Sequence, residues 1–562
     1  MDKFAMVTNT LLEQRSLHLH NDESLLVLRK IVSDLFTAME AGDSCIQLHS
    51  DEEIKVLCAS GLAQIICSAR LPNVPLCIYQ VKGLNFLYLT RYYYYENRIS
   101  LIISQLYNAP TSIDKNKISS TLEQLETKSQ EFDFPNQDQY LSIKKSLQQK
   151  FSIITGGPGT GKTTSVVLIL WGLFQIYGKN IKILLGAPTG KAAQRVKESL
   201  QNNLDNIEDN LNLDISDIRN FLNNNEFCGT IHKLLGYIHQ SIYFRYNNEN
   251  NLDTDVLIID ESSMISLPLF YKLISAINVS KIKHLIFLGD PNQLYSVEEG
   301  FVFNSLVNAS SAPCYVNALT ISKRNQGDVN RLAKAILDNN SALVMKILDN
   351  SKFVSIKRPN QQLVMHSILY GTNNIFEFIE YCQNKTEINN TSELNDLFKH
   401  YTRCAVLCMT NLGQLGVVNL NAEIEHLIKM KIDCNEHWYS GRSIMILSNE
   451  KSLNLFNGDI GICLILNGKP RVYFDNGRSF VPEMLPKHQL SFAMTIHKSQ
   501  GSEYEMVKII IPTTVMSNLL SKELIYTAVT RAKKSVEIFS DINNITSLKA
   551  TIRQSALKLN IT

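Results

Sequence analysis

Gly156-Gly-Pro-Gly-Thr-Gly-Lys-Thr163 fits the pattern G-x-x-x-x-G-K-[ST]. Successive glycines in such a loop let backbone N–H groups curl around phosphate oxygens. The stretch lies between a β-rich run, 151–155, and an apolar helical run, 165–176. That strand–loop–helix context separates a phosphate-binding loop from a chance match. A helix starting there also presents the positive end of its dipole to an anion. The pattern predicts that Gly156, Gly157, Pro158, Gly159, Thr160, Gly161, Lys162, Thr163 and Thr164 hold a nucleoside triphosphate. Lys162 would reach the β and γ phosphates, and the Thr163 hydroxyl would face Mg²⁺.

A second feature answers the first. The apolar run 256–259 leads into Asp260-Glu261-Ser262-Ser263. In a P-loop protein, a strand ending in paired carboxylates supplies the partner site. Asp260 would help hold the metal, and Glu261 would orient and deprotonate the attacking water. A third apolar run, 284–288, ends in Gly289-Asp290-Pro291-Asn292-Gln293, which places Gln293 at a strand end where it could contact the γ-phosphate. The set predicts hydrolysis of the nucleotide rather than transfer to a second substrate.

The chain has 562 residues, enough for roughly three or four domains of ordinary size. It is 44% hydrophobic and 19% charged, with a formal net charge of +2, so a nucleic-acid site would be a local basic cleft rather than a basic protein overall. The eleven cysteines run from Cys45 to Cys463 with no C-x-x-C spacing, as expected of free thiols in a reducing compartment. No charged n-region precedes a long apolar core at the N-terminus, and no run of ~18 apolar residues occurs. A soluble, cytoplasmic protein is expected.

Residues 1–115 carry no nucleotide motif and are expected to be a mainly helical domain. They include Arg91-Tyr92-Tyr93-Tyr94-Tyr95, which reads either as a base-stacking surface or as a run half in the core and half at an interface. The polar segment 111–133 reads as a linker with helical character. From 134 to about 345, within a first ATPase domain expected over 116–345, short apolar runs (151–155, 181–186, 255–259, 284–288) alternate with amphipathic segments, the signature of parallel βαβ units. A second such set fills 346–562, with runs at 404–409, 507–511 and 535–539. Between 440 and 490, glycines punctuate short β-like runs, which predicts a small inserted barrel. The fold class expected is α/β, with two parallel-sheet lobes, only the first bearing a P-loop, and a nucleotide held between them.

Further segments add specificity in their order: Ala187-Pro-Thr-Gly-Lys-Ala-Ala193, Thr230-Ile-His-Lys233, Thr495-Ile-His-Lys-Ser-Gln-Gly-Ser-Glu503 and Tyr526-Thr-Ala-Val-Thr-Arg-Ala-Lys533. Together with the P-loop they resemble the ordered motifs of superfamily 1 helicases, whose two lobes are RecA-like. Leu87-Tyr-Leu-Thr-Arg91, Phe456-Asn-Gly-Asp-Ile-Gly461 and Val529-Thr-Arg-Ala532 narrow the likeness, nearly end to end, to RecD, the alpha-subunit family of exodeoxyribonuclease V.

That resemblance implies an ATP-driven DNA motor, moving 5′ to 3′ on one strand of a duplex end and working with RecB and RecC subunits in a heterotrimer. It implies an N-terminal domain docked on RecC and a nuclease site on RecB. Carried across by position, Gln139 falls at the family's adenine-reading glutamine, and Glu503 at a nucleotide contact from the second lobe. Arg324 falls at a second γ-phosphate arginine, although Asn325 replaces the aromatic residue that commonly follows it. Arg531 falls at the arginine finger. Thr189, Thr230, His232, Thr495 and His497 match positions that face the DNA strand, and each also reads as an ordinary strand-end or capping residue. Two rivals stand beside this reading: a stand-alone helicase on DNA or RNA, and a structural subunit with a decayed ATPase.

Overall fold

The computed structural model describes residues 22–67, 72–109, 114–132, 134–211, 213–223, 227–296, 298–309, 311–321, 327–385, 387–388, 390–450, 452–513, 520–551 and 553–557. The chain divides into two units. The first comprises Met1–Pro291, Tyr295–Ile321 and Ile552–Thr562, and the second Asn292–Leu294 and Ser322–Thr551.

In the first unit the apolar runs become a six-stranded, wholly parallel sheet. Its strands are β5 (Phe151–Gly156), β6 (Ile183–Ala187), β7 (Cys228–Thr230), β8 (Val256–Ile259), β9 (His284–Gly289) and β10 (Val316–Leu319), in the order β10-β5-β9-β8-β6-β7. Residues of β5, β8 and β9 are buried almost throughout, as a sheet covered on both faces requires. The Lys162–Tyr177 helix is apolar all round, buried from Ser165 to Phe174, and packs on that sheet. The segment expected to be a linker is instead a packed helix, Lys115–Phe132. Its Ile118, Leu122 and Leu125, spaced at helical period, join the same core.

The N-terminal part, expected to be mainly helical, holds the helices Asp22–Glu40, Asp51–Ala59 and Thr90–Asn108. It also holds a four-stranded sheet that the pattern reading missed: β1 (Cys45–Leu48), β2 (Ala63–Ile65), β3 (Leu76–Val81) and β4 (Leu84–Leu89), ordered β1-β4-β3-β2. Lys82 (φ 50°) and Gly83 (φ 78°) form the two-residue turn of the β3–β4 hairpin. The arginine–tyrosine run proves to be packing. Tyr92 and Tyr93 are buried, and Tyr95 stacks on Tyr271 of the Leu267–Ser275 helix with centroids 4.3 Å apart. Residues 553–557 rejoin this part, with Ala556 and Leu557 fully buried in its core.

The second unit carries a five-stranded parallel sheet: β11 (Val354–Lys357), β12 (Cys404–Cys408), β18 (Ala493–Thr495), β19 (Tyr504–Ile510) and β20 (Ala532–Phe539), ordered β11-β20-β19-β12-β18. Inserted between β12 and β18 are β13 (Ser443–Ile446), β14 (Ile460–Leu466), β15 (Lys469–Phe474), β16 (Ser479–Phe480) and β17 (His488–Leu490). They form an antiparallel sheet, β16-β15-β14-β13-β17, with no pairing between its end strands among the described residues. An open sheet therefore stands where a small barrel was expected. Its end strands, two and three residues long, are too short to close it.

Candidate nucleotide-hydrolysis site

Strand β5 ends at Gly156, and the loop turns into the Lys162–Tyr177 helix through Gly161, whose φ of 85° belongs to the left-handed region. A Cβ at Gly161 would lie 1.9 Å from Gln139 Nε2, so the position needs glycine for space as well as for conformation. The cap glycine offers no side-chain acceptor to the first helical turn, whose N–H groups are thereby suited to an anion. Lys162 Nζ donates to the carbonyls of Gly156 (2.5 Å) and Gly157 (3.2 Å), and Thr160 Oγ1 donates to Gly157 O (2.9 Å). Thr164 Oγ1 donates to Asn203 Oδ1 at 3.2 Å, tying the helix start to the Gly190–Leu211 helix.

Strand β8 delivers Asp260 and Glu261 beside this loop. Thr163 and Asp260 line one small pocket together with Leu185, Ile258 and Leu288. Burial, and next the charge of Glu261, push the Asp260 carboxyl up to about 6, while Lys162 pulls it down. A hydroxyl and a carboxylate sharing a low-dielectric pocket fit a hard divalent cation, which takes oxygen ligands and would reverse that shift. Asp260 Oδ1 also accepts from Glu261 N (2.8 Å). Glu261 itself has φ 52°, a left-handed conformation that side chains other than glycine's seldom adopt.

Gln139 is 2% exposed, and both ends of its amide are engaged. Its Oε1 accepts from Asn136 N (3.1 Å), completing a capping box on the Gln137–Gln148 helix. Its Nε2 donates to Thr160 O and Gly161 O, each at 3.4 Å, so it also props the P-loop. The spacing Asn136-x-x-Gln139 is itself a capping-box signal, and the sequence reading overlooked it.

Three threonines expected to face DNA share one structural role. Thr189 Oγ1 accepts from Ala192 N after β6, Thr230 Oγ1 from Lys233 N at the end of β7, and Thr495 Oγ1 from Lys498 N at the end of β18. Each caps the turn that leaves the C-terminal edge of its sheet. His232 is exposed at the surface and lies 5.6 Å from the Phe244 ring, and His497 is exposed in the turn after Thr495.

In the second unit, Arg531 is 4% exposed and donates through Nε to Thr527 O (3.1 Å) and through Nη1 to Ser502 O (3.3 Å). Glu503 pairs with Lys533 at 3.6 Å. Gln293 is buried, and the next residue, Leu294, donates its N–H to Thr527 Oγ1 (3.0 Å). Thr527 thus holds the residue after Gln293 through its hydroxyl and Arg531 through its carbonyl, a role that no sequence signal marked. Arg324 lies outside the described residues.

Residues 139–299 match the AAA domain family, and residues 490–538 match the UvrD-like helicase C-terminal domain family. A P-loop ATPase sheet combined with that C-terminal domain defines an ATP-dependent helicase. RecBCD enzyme subunit RecD of Haemophilus influenzae is 34% identical over 466 residues, covering 75% of this chain and 71% of the relative. The subunit of the same name from Buchnera aphidicola subsp. Acyrthosiphon pisum is 31% identical over 492 residues, covering 79% and 78%. The chain belongs to the RecD family. A solved structure of Bacteroides Pif1 bound to ssDNA is 18% identical and covers 76% of this chain and 94% of its own, with a TM-score of 0.39, too low to carry an argument.

Proposed function

We propose that this chain is the 5′-to-3′ helicase subunit of a RecBCD (exodeoxyribonuclease V) complex, driven by ATP along one strand of a duplex DNA end for recombinational repair and DNA degradation. The observation that carries the reading is the meeting of Lys162, Thr163, Asp260 and Glu261 at the strand ends of one parallel sheet. Lys162 holds the β and γ phosphates, and Thr163 and Asp260 hold Mg²⁺. When bound, that ion neutralises charge developing on the phosphoryl oxygens. Glu261 orients the attacking water and takes its proton, Gln293 senses the γ-phosphate, and Arg324 and Arg531 stabilise the transferring group. Gln139 and Glu503 complete the nucleotide contacts. Thr189, Thr230, His232, Thr495 and His497 hold the single strand.

The exposed hairpin in which Tyr237 pairs with Phe244, bearing Ile242 (74% exposed) and Tyr243 (72% exposed), is proposed as the strand-separation element. Residues 1–115 dock on a RecC-type subunit, and nuclease chemistry resides in a RecB-type partner. The chain works in the cytoplasm; none of the helices among the described residues is long and apolar enough to cross a membrane.

The test is unwinding of a blunt duplex with ATP, by the purified chain alone and by the chain with its co-purifying subunits. Activity only in the complex is expected; full activity of the lone chain would establish a stand-alone helicase. Lys162→Ala should fold and yet lose DNA-stimulated hydrolysis, and Glu261→Gln should keep ATP bound without turning it over. Hydrolysis at the normal rate in Lys162→Ala would remove the P-loop assignment.

A further inference from the structure

Two residues beyond Gln293 begins a loop whose described residues, 295–296 and 298–300, are gripped tightly by the first unit. Gly300 N donates to Gly42 O at 3.0 Å, and Leu267 N donates to Glu299 O at 3.0 Å. The third hold comes from the far end of the chain. Arg553 donates through Nη2 to Ser296 O and through Nη1 to Gly300 O, both at 3.0 Å, and its guanidinium lies 5.5 Å from the Tyr295 ring centroid. One planar fork therefore spans the mouth of the loop and covers its first aromatic residue.

The fit is reciprocal. Gly42 has φ 95°, and a Cβ there would fall 2.3 Å from Arg553 Cζ, so the guanidinium occupies space that any side chain would take. Arg553 is itself fixed, because the residues after it are fastened to the N-terminal sheet and helices. Gln554 N donates to Asp43 Oδ1, and Gln554 O accepts from Ser44 N (3.1 Å). Ser555 Oγ donates to Glu96 Oε1 (2.7 Å), and Ala556 N donates to Tyr88 OH (2.9 Å). Both ends of the contact lie within a few residues of points where the chain passes from one unit to the other, at 294–295 and 551–552.

We propose that Arg553 is a positioning residue that latches the 295–300 loop to the N-terminal domain, so that the setting of Gln293 depends on that domain. This rests on the reading of Gln293 as the residue that senses the γ-phosphate. A latch of this kind gives a docked N-terminal domain a direct mechanical route to ATP turnover, through backbone carbonyls rather than through the nucleotide contacts.

The test compares Arg553→Ala, Arg553→Lys and Ser555→Ala in the full chain with its co-purifying subunits. Ser555→Ala loosens the tail without touching the loop. Hydrogen exchange of a peptide covering 294–301 reads the latch, and kcat and KM for ATP with saturating single-stranded DNA read its consequence. Arg553→Ala should lose on the order of tenfold protection in that peptide. Its kcat should fall roughly five- to tenfold with KM changed by less than about twofold. Arg553→Lys, which keeps the charge but not the fork, should fall between, and so should Ser555→Ala, which removes one of the bonds that fix Arg553 and leaves its fork intact. Normal protection and normal kcat in Arg553→Ala would overturn the proposal, and so would equal losses in Ser555→Ala, or a loss carried by KM alone. If Arg553→Ala does not fold, Arg553→Lys decides by the same readouts. Absence of DNA-stimulated turnover in the wild type would instead count against the helicase reading, and the exchange measurement would still judge the latch.

Discussion

Glu261 pays conformationally for its place: at φ 52° it holds a backbone state costing about 1 kcal/mol for a side chain other than glycine's. Strain kept at the end of a buried strand, next to the P-loop, is what a functional constraint leaves behind. Glu261→Gly should therefore unfold at the same temperature as the wild type or slightly higher, while ATP hydrolysis disappears. A clear drop in melting temperature would show that the carboxylate is there for stability. Gln139 poses the opposite question, since its amide is already spent on a helix cap and on the P-loop carbonyls. If it reads adenine, Gln139→Glu should change the ratio of KM for ATP to that for GTP. If it only braces the loop, Gln139→Ala should raise both KM values together and cost about 1 kcal/mol of stability. Sequence spacing could not separate these roles, because a capping box and an adenine contact ask for the same residue type at the same place.

Elements were legible in proportion to their burial. Strands β5, β8, β9 and β12, and the C-terminal halves of β19 and β20, announce themselves as apolar runs because both faces of each are covered. The short strand β7, Cys228-Gly-Thr, has too few side chains to show a period, and β11 is only partly buried. The β3–β4 hairpin carries its local signal in the turn, Lys82-Gly83 between apolar runs, rather than in the period of its strands. The 553–557 tail gave none, since a contact closed across most of the chain leaves no mark on local pattern.

Within β9, His284 offers a test at the scale of an element. Tyr177 OH lies 2.9 Å from its Nε2 and Gln149 O lies 2.9 Å from its Nδ1, and burial lowers its pKa to about 4. The folded value lies below that of the unfolded chain, about 6.5, so the contribution to stability is complete above pH 6.5 and is lost as pH falls toward 4. His284→Gln, which cannot take up the proton, should show a shallower fall in melting temperature between pH 7 and pH 4.5 than the wild type. Parallel curves would mean that the ring does not resist protonation.

At the scale of the whole molecule, each unit contributes one parallel sheet, and only the first has a P-loop. The central proposal is that hydrolysis at that P-loop depends on Arg531. Arg531 is held by the carbonyls of Thr527 and Ser502, so removing it also removes two local hydrogen bonds. Arg531→Lys, measured beside Arg531→Ala, separates that loss from the loss of the finger, because lysine keeps the charge without the planar fork. The decisive measurement is ATP affinity together with steady-state turnover for both variants, with and without a 5′-tailed single strand. Affinity should stay within a few fold of the wild type while Arg531→Ala loses roughly 10³ to 10⁵ in kcat. Loss of affinity at unchanged turnover would contradict the account and leave Arg531 a structural residue of the second unit.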